Sequence, residues 1–192
     1  RQRTVRGGIV SKYITPESVA AAFSRTEQDS GWLPAGVVRA GHNAQGNWFV
    51  YSSPEQKVSI TIAPAESFII PIPRVVLVGT GGGIYIWCMQ SKMFDPAESG
   101  FTAPFPNIYL SGKVCWGGHH PAETNAGNAR SIWEMFFGSL FNQDLAGKKS
   151  KKFENNILDM LREVSSAKLN RYPKDDLISR NKSIAQLVCE VL

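Results

Sequence analysis

Between Gly36 and Cys88 the apolar positions fall in short runs parted by turn formers, whereas beyond Asn125 they recur at intervals of three and four. The first pattern belongs to strands and the second to helices. Gly36–Ala40, Trp48–Ser52 and Lys57–Ile62 are rich in β-branched and aromatic residues and are separated by Asn/Gly and Ser/Pro turn signals, so they read as an antiparallel meander. Val75–Val78 and Ile84–Cys88 are two further strands. The Gly79-Thr80-Gly81-Gly82-Gly83 segment between them can adopt the positive φ of a tight hairpin. The sheet is expected to end there.

Thr15-Pro16-Glu17-Ser18 sets a capping hydroxyl before a proline at a first helical position, and Val19, Ala22 and Phe23 continue at helical spacing. A short first helix over about 16–25 follows. From Met93 to Gly118 the chain is rich in Pro and Gly and reads as ordered irregular backbone laid against the sheet. Ile132, Trp133, Phe136, Phe137, Leu140 and Phe141 then predict a buried helix over about Asn125–Phe141. Phe153, Ile157, Leu161 and Val164 mark another helix, and a last one is expected from about Asp176 to the end, with Ile184, Leu187, Val188 and Val191 on one face. Strands first and helices after them indicate an α+β fold with the sheet covered on one face, not a doubly wound parallel sheet. At 192 residues the chain is expected to form a single domain, with the sheet and an active loop over about 30–120 and the C-terminal helices over about 125–192.

Composition narrows the function classes. With 43% hydrophobic and 19% charged residues, and no apolar run near the ~20 residues that span a bilayer, no membrane segment is expected. The basic start Arg1-Gln2-Arg3-Thr4-Val5-Arg6 lacks the apolar stretch of a signal peptide, and a start at Arg1 reads as a trimmed chain. Three cysteines, odd in number and far apart, argue against a disulfide framework and for the cytoplasm. A net charge of +5 favours acidic partner surfaces, yet the excess is modest and lacks the aromatic interleaving of a nucleic-acid binder. Protein partners rank above nucleic acid.

The candidate chemistry lies in Pro106-Asn107-Ile108-Tyr109-Leu110-Ser111-Gly112-Lys113-Val114-Cys115-Trp116. A thiol becomes a useful nucleophile when its thiolate is accessible and a donor meets the charge that develops on a substrate carbonyl. Cys115 and Asn107 are the candidates for those two parts. The same residues also suit a plain structural use, with Pro-Asn in an Asx-type turn and Cys115 as a small buried hydrophobe.

Phe105-Pro106-Asn107 through Val114-Cys115 resembles, without a gap, the His-Pro-Asn signature of ubiquitin-conjugating enzymes, in which Pro-Asn precedes a turn glycine and then the active cysteine. The longer surroundings, from Ala103-Pro104 to Cys115-Trp116-Gly117 and on into an aromatic helix, are similar to the bacterial group that includes the PRTRC system protein B. The resemblance implies a ubiquitin-conjugating-like fold in which Cys115 accepts the C-terminus of a ubiquitin-like modifier as a thioester. It further implies that Asn107 orders the loop or stabilises the oxyanion. The implied partners are the modifier, a separate adenylating activating enzyme and an acceptor protein. The implied enzyme needs no cofactor of its own, since ATP is used by the activating enzyme. Antiphage defence is one setting that this kinship suggests. Phe105 stands where the eukaryotic members have His, and Trp116-Gly117-Gly118-His119-His120-Pro121 replaces their usual continuation.

His119 and His120 are candidate acid/base groups beside the thiol, or else a solvated turn. Bunched with Cys115 they match no standard zinc spacing, so no metal is expected. Gly79–Gly83 lacks the Gly-Lys-Ser/Thr ending of a phosphate loop and leads into a strand. Lys148, Lys149, Lys151 and Lys152 precede a predicted helix, where positive charge opposes the helix dipole, so they read as a docking patch for an acidic partner or as a solvated linker. Cys88 and Cys189 fall on apolar faces and read as buried structural thiols. Two rival functions stay open: a scaffold of the same fold that binds the modifier without catalysis, and a cysteine hydrolase pairing Cys115 with His119 or His120.

Overall fold

The computed structural model describes residues 3–5, 8–10, 13–19 and 31–192. The chain divides into two compact units, Arg1–Trp32 and Leu33–Leu192. In the first unit, β1 (Arg3–Val5) and β2 (Gly8–Val10) form an antiparallel ladder. Residues 16–19 are helical, with Thr15 Oγ1 accepting from the Ser18 N–H at 3.2 Å. Thr15 thus has the capping role that the sequence suggested, and the remainder of that expected helix, 20–25, lies outside the described residues.

The second unit is α+β and mostly antiparallel. Its strands are β3 (Val37–Asn43), β4 (Gly46–Ser53), β5 (Gln56–Ile62), β6 (Glu66–Ile72), β7 (Arg74–Thr80), β8 (Gly83–Met89), β9 (Ser99–Thr102), β10 (Leu140–Phe141) and β11 (Ser179–Ser183). Its helices are α1 (Ala129–Gly138), α2 (Ile157–Ser166) and α3 (Ile184–Cys189). The expected meander is interrupted. β4 pairs directly with β7, from Phe49 opposite Gly79 to Ser53 opposite Val75. The intervening β5–β6 hairpin swings out to form a second, three-stranded sheet, completed by β10 pairing in parallel with β5. The main sheet runs in the order β3-β4-β7-β8-β9-β11. It therefore continues past β8, because the irregular stretch contains β9 and the expected last helix begins instead as β11.

Both faces of the main sheet are covered, where one was expected. Along β7, Val75 and Leu77 enter a large core with Ile132, Phe136, Leu161 and the second sheet's Ile60 and Ile70. Val76 and Val78 face the other way, onto Ile184, Leu187 and Val188 of α3 with Val50, Trp87 and Met89. A strand wet on one face alternates, whereas Val75–Val78 is an unbroken apolar run of the kind that two covers require. The amphipathic stripes of α1 and α2 bury against the main-core face, and each apolar side chain so buried contributes roughly 1.5–3 kcal/mol. Among the described residues no helix is long and apolar enough to cross a membrane.

Candidate active site

The segment after β9 folds into a small hairpin of its own. Ile108 and Val114 face one another as an antiparallel bridge. The Tyr109 N–H donates to the Lys113 carbonyl at 2.8 Å, the Gly112 N–H to Tyr109 at 2.8 Å and the Cys115 N–H to the Asn107 carbonyl at 2.8 Å. Asn107 and Cys115 are thereby opposite each other. β8 anchors the hairpin, since the Ile86 N–H donates to the Gly112 carbonyl and the Val114 N–H to Ile84, both at 2.8 Å. Gly112 is required twice: its φ is +95°, and a Cβ there would lie 2.5 Å from the Trp87 indole nitrogen.

Asn107 itself has φ +58°, a conformation that Asn tolerates better than most residues. Its side-chain amide donates to the Leu140 carbonyl at 3.2 Å, tying the loop to the end of β10. Cys115 is half-buried. The Tyr109 hydroxyl donates to its sulfur at 3.8 Å. That hydrogen bond, and the repulsion between phenolate and thiolate, raise the tyrosine pKa above its ordinary value. The hydroxyl is therefore a proton donor aimed at the sulfur.

Two open grooves meet at Cys115. One, of about 880 Å³, runs past Gly81, Gly82, Lys113 and His120. The other, of about 730 Å³, runs past Asn107, His119, Leu140 and Asp144. The adjacent histidines are thus divided between the grooves, His120 on the first and His119 on the second. Both are exposed, and no hydrogen bond joins either imidazole to the sulfur. Trp116 lies edge-on to Phe136, ring centres 6.2 Å apart, and Phe105 is fully buried edge-on to Phe137 at 5.2 Å. Aromatic residues of α1 therefore hold the loop at both ends.

The lysine run is not one patch. Lys148 is exposed, Lys151 donates to the Asp175 carbonyl at 2.8 Å, and Lys152 pairs with Glu163 at 2.7 Å. Lys149 is fully buried, which removes it from any docking surface. Its ammonium donates to the carbonyls of Phe105 at 2.6 Å and Ile108 at 2.5 Å. Burial lowers its pKa from 10.5 to about 7. Cys88 is buried as expected, its thiol pKa raised by desolvation, whereas Cys189 is exposed. Cys189 falls on the outer side of α3, because Leu187 and Val188 take the inward positions.

Sequence reasoning gave Tyr109 no role and read Lys149 as part of a docking patch or solvated linker, whereas the structure buries it. Tyr109 was within reach of a register argument, since closing the hairpin at Gly112 sets Asn107 against Cys115 and brings Tyr109 beside them. Lys149 carried no such signal.

The family model described as Prokaryotic E2 family D matches residues 13–180. No curated protein and no solved structure matches the chain.

Proposed function

As the chain belongs to prokaryotic E2 family D, we propose that it carries the C-terminus of a ubiquitin-like modifier as a thioester on Cys115 and passes it to an acceptor nucleophile. The observation that carries this reading is the half-exposed Cys115 at the junction of two grooves, with a hydroxyl donor on its sulfur. The sulfur attacks the activated carbonyl of the modifier and displaces the activating enzyme's thiol. An amine then attacks the resulting thioester, the carbon–sulfur bond breaks, and the sulfur leaves with the electron pair. Grooves on both sides of the sulfur give the modifier tail and the incoming nucleophile separate approaches, which is the orientation that such transfers depend on. The Tyr109 hydroxyl stabilises the thiolate as it leaves.

Asn107, with its amide held by Leu140, orders the loop in this arrangement; an oxyanion role requires that amide to turn toward the substrate. The protein itself needs no bound cofactor, because ATP is consumed by the separate activating enzyme. The narrower kinship with the PRTRC system protein B group, and a setting in antiphage defence, belong to the same proposal.

Incubation with a neighbouring activating enzyme, its modifier and ATP is expected to give a reductant-sensitive adduct. Cys115→Ser should convert it to a reductant-resistant ester. No adduct from a partner set shown to be active would overturn the reading and favour a binding scaffold.

A further inference from the structure

The geometry points to Lys149 as the positioning residue of the active loop, its buried ammonium clamping the carbonyls of Phe105 and Ile108 and so fixing Asn107 and, through it, Cys115. The two carbonyls flank Pro106-Asn107, and both converge on one nitrogen. Each belongs to a residue with at most 1% of its surface exposed, so neither carbonyl has ready access to water as a substitute donor. Pro106 has no N–H to offer, and the Phe105 side chain is an apolar ring spent on Phe136 and Phe137. Between the two clamped carbonyls Asn107 holds φ +58°, and its own carbonyl receives the Cys115 N–H at 2.8 Å.

The base of the clamp is fixed independently of the loop. On one side of Lys149 the Lys148 N–H donates to the Glu154 carbonyl at 2.6 Å. On the other side the Ser150 hydroxyl donates to Asp176 at 2.7 Å, and the buried Tyr172 hydroxyl donates to the same carboxylate at 3.0 Å. Among the described residues no carboxylate pairs with Lys149. A buried ammonium without a counter-ion costs stability, and methionine would fill similar space without that cost. What lysine adds is donors for both carbonyls.

The inference rests on the thioester reading for its catalytic consequence, and the test separates the two. Lys149→Met is compared with the unaltered protein by amide hydrogen exchange and by single-turnover discharge of the charged enzyme to a free amine. Exchange at the Cys115 and Tyr109 amides should quicken while the Val76 and Leu77 amides keep their protection. The limiting discharge rate should fall by about 10²-fold, as misplacement near a reacting centre does, with the half-saturating amine concentration little changed. Lost charging with an intact core supports the same conclusion. Unaltered loop exchange and discharge, or equal loosening of loop and core, would overturn it. If the unaltered protein does not charge, the thioester reading fails, and the exchange data still decide whether Lys149 holds the loop. Should Lys149→Met not fold, ¹⁵N-lysine labelling of the unaltered protein serves instead. With the carbonyl carbons also ¹³C-labelled and the pH held below about 7, one ammonium should then couple across hydrogen bonds to the carbonyl carbons of Phe105 and Ile108, and absence of that coupling would sink the clamp.

Discussion

Asn107 carries two separable demands, a left-handed backbone and an amide bonded to Leu140. Asn107→Gly keeps the first and loses the second, whereas Asn107→Ala loses both. Denaturant unfolding should therefore find the alanine variant less stable than the glycine variant by about 1–2 kcal/mol, the cost of a Cβ in that conformation. Equal stabilities would mean that the loop relaxes out of it. Lys149 makes a prediction about pH. Its pKa is 10.5 unfolded and about 7 folded, so between those values the unfolded chain holds a proton that the folded one has lost. Stability then rises with pH across that window, by up to about 1.4 kcal/mol per unit, and the burial penalty is greatest below its lower end. Lys149→Met lacks this contribution, so the unaltered protein should gain on the variant as pH climbs from 7 toward 10.5. Parallel stability curves would show that Lys149 keeps its proton throughout. At this scale the glycine turn between Asn107 and Cys115 was legible, while the hairpin that sets the two residues opposite each other lay in a stretch that reads as irregular backbone. Lys149 was not legible, because four lysines within five positions look alike until distant carbonyls select one.

The C-terminal elements show how a distant partner overrides a local pattern. A helix from about Asp176 was a fair reading of the stripe Ile184, Leu187, Val188 and Val191, yet Ser179–Ser183 pairs with β9 instead. Those five residues carry no apolar member of the stripe, so nothing in them compels a helix, and the open edge of β9 supplies a ladder. Ser183 then starts α3 with a capping box, its hydroxyl accepting from the Gln186 N–H at 3.2 Å. The helix is only six residues long and owes its stability to what it covers. Leu187 meets the sheet where a Cβ on Gly100 would lie 2.4 Å from its methyl group, a close fit. Leu187→Ala should cost about 2–5 kcal/mol in denaturant unfolding. A cost below 1 kcal/mol would mean that the second core is loosely packed and collapses around the gap.

For the molecule as a whole, the three thiols differ in access because the two-sided burial of the main sheet reaches only one of them. Cys88 on β8 lies inside the main core, Cys115 stands half-exposed between two grooves, and Cys189 is exposed on the last helix. Iodoacetamide should label Cys115 and Cys189 in the folded protein and Cys88 only after denaturation, as read by peptide mass. Burial also raises the Cys88 pKa, which leaves less thiolate to react. Labelling of Cys88 at the same rate as the others would contradict the packing described.

The sequence by itself determined the α+β class, five of the strands, the two helices that cover the main core, and the glycine turn between Asn107 and Cys115. Each of these rests on a period or a turn that a few neighbouring residues complete. Tertiary structure alone decided the departure of the β5–β6 hairpin to a second sheet, the pairing of β11 with β9, and the cover on the sheet's second face. It also decided which lysine enters the protein. Those outcomes depend on backbone edges and carbonyls whose partners lie tens of residues away, and no local pattern encodes them.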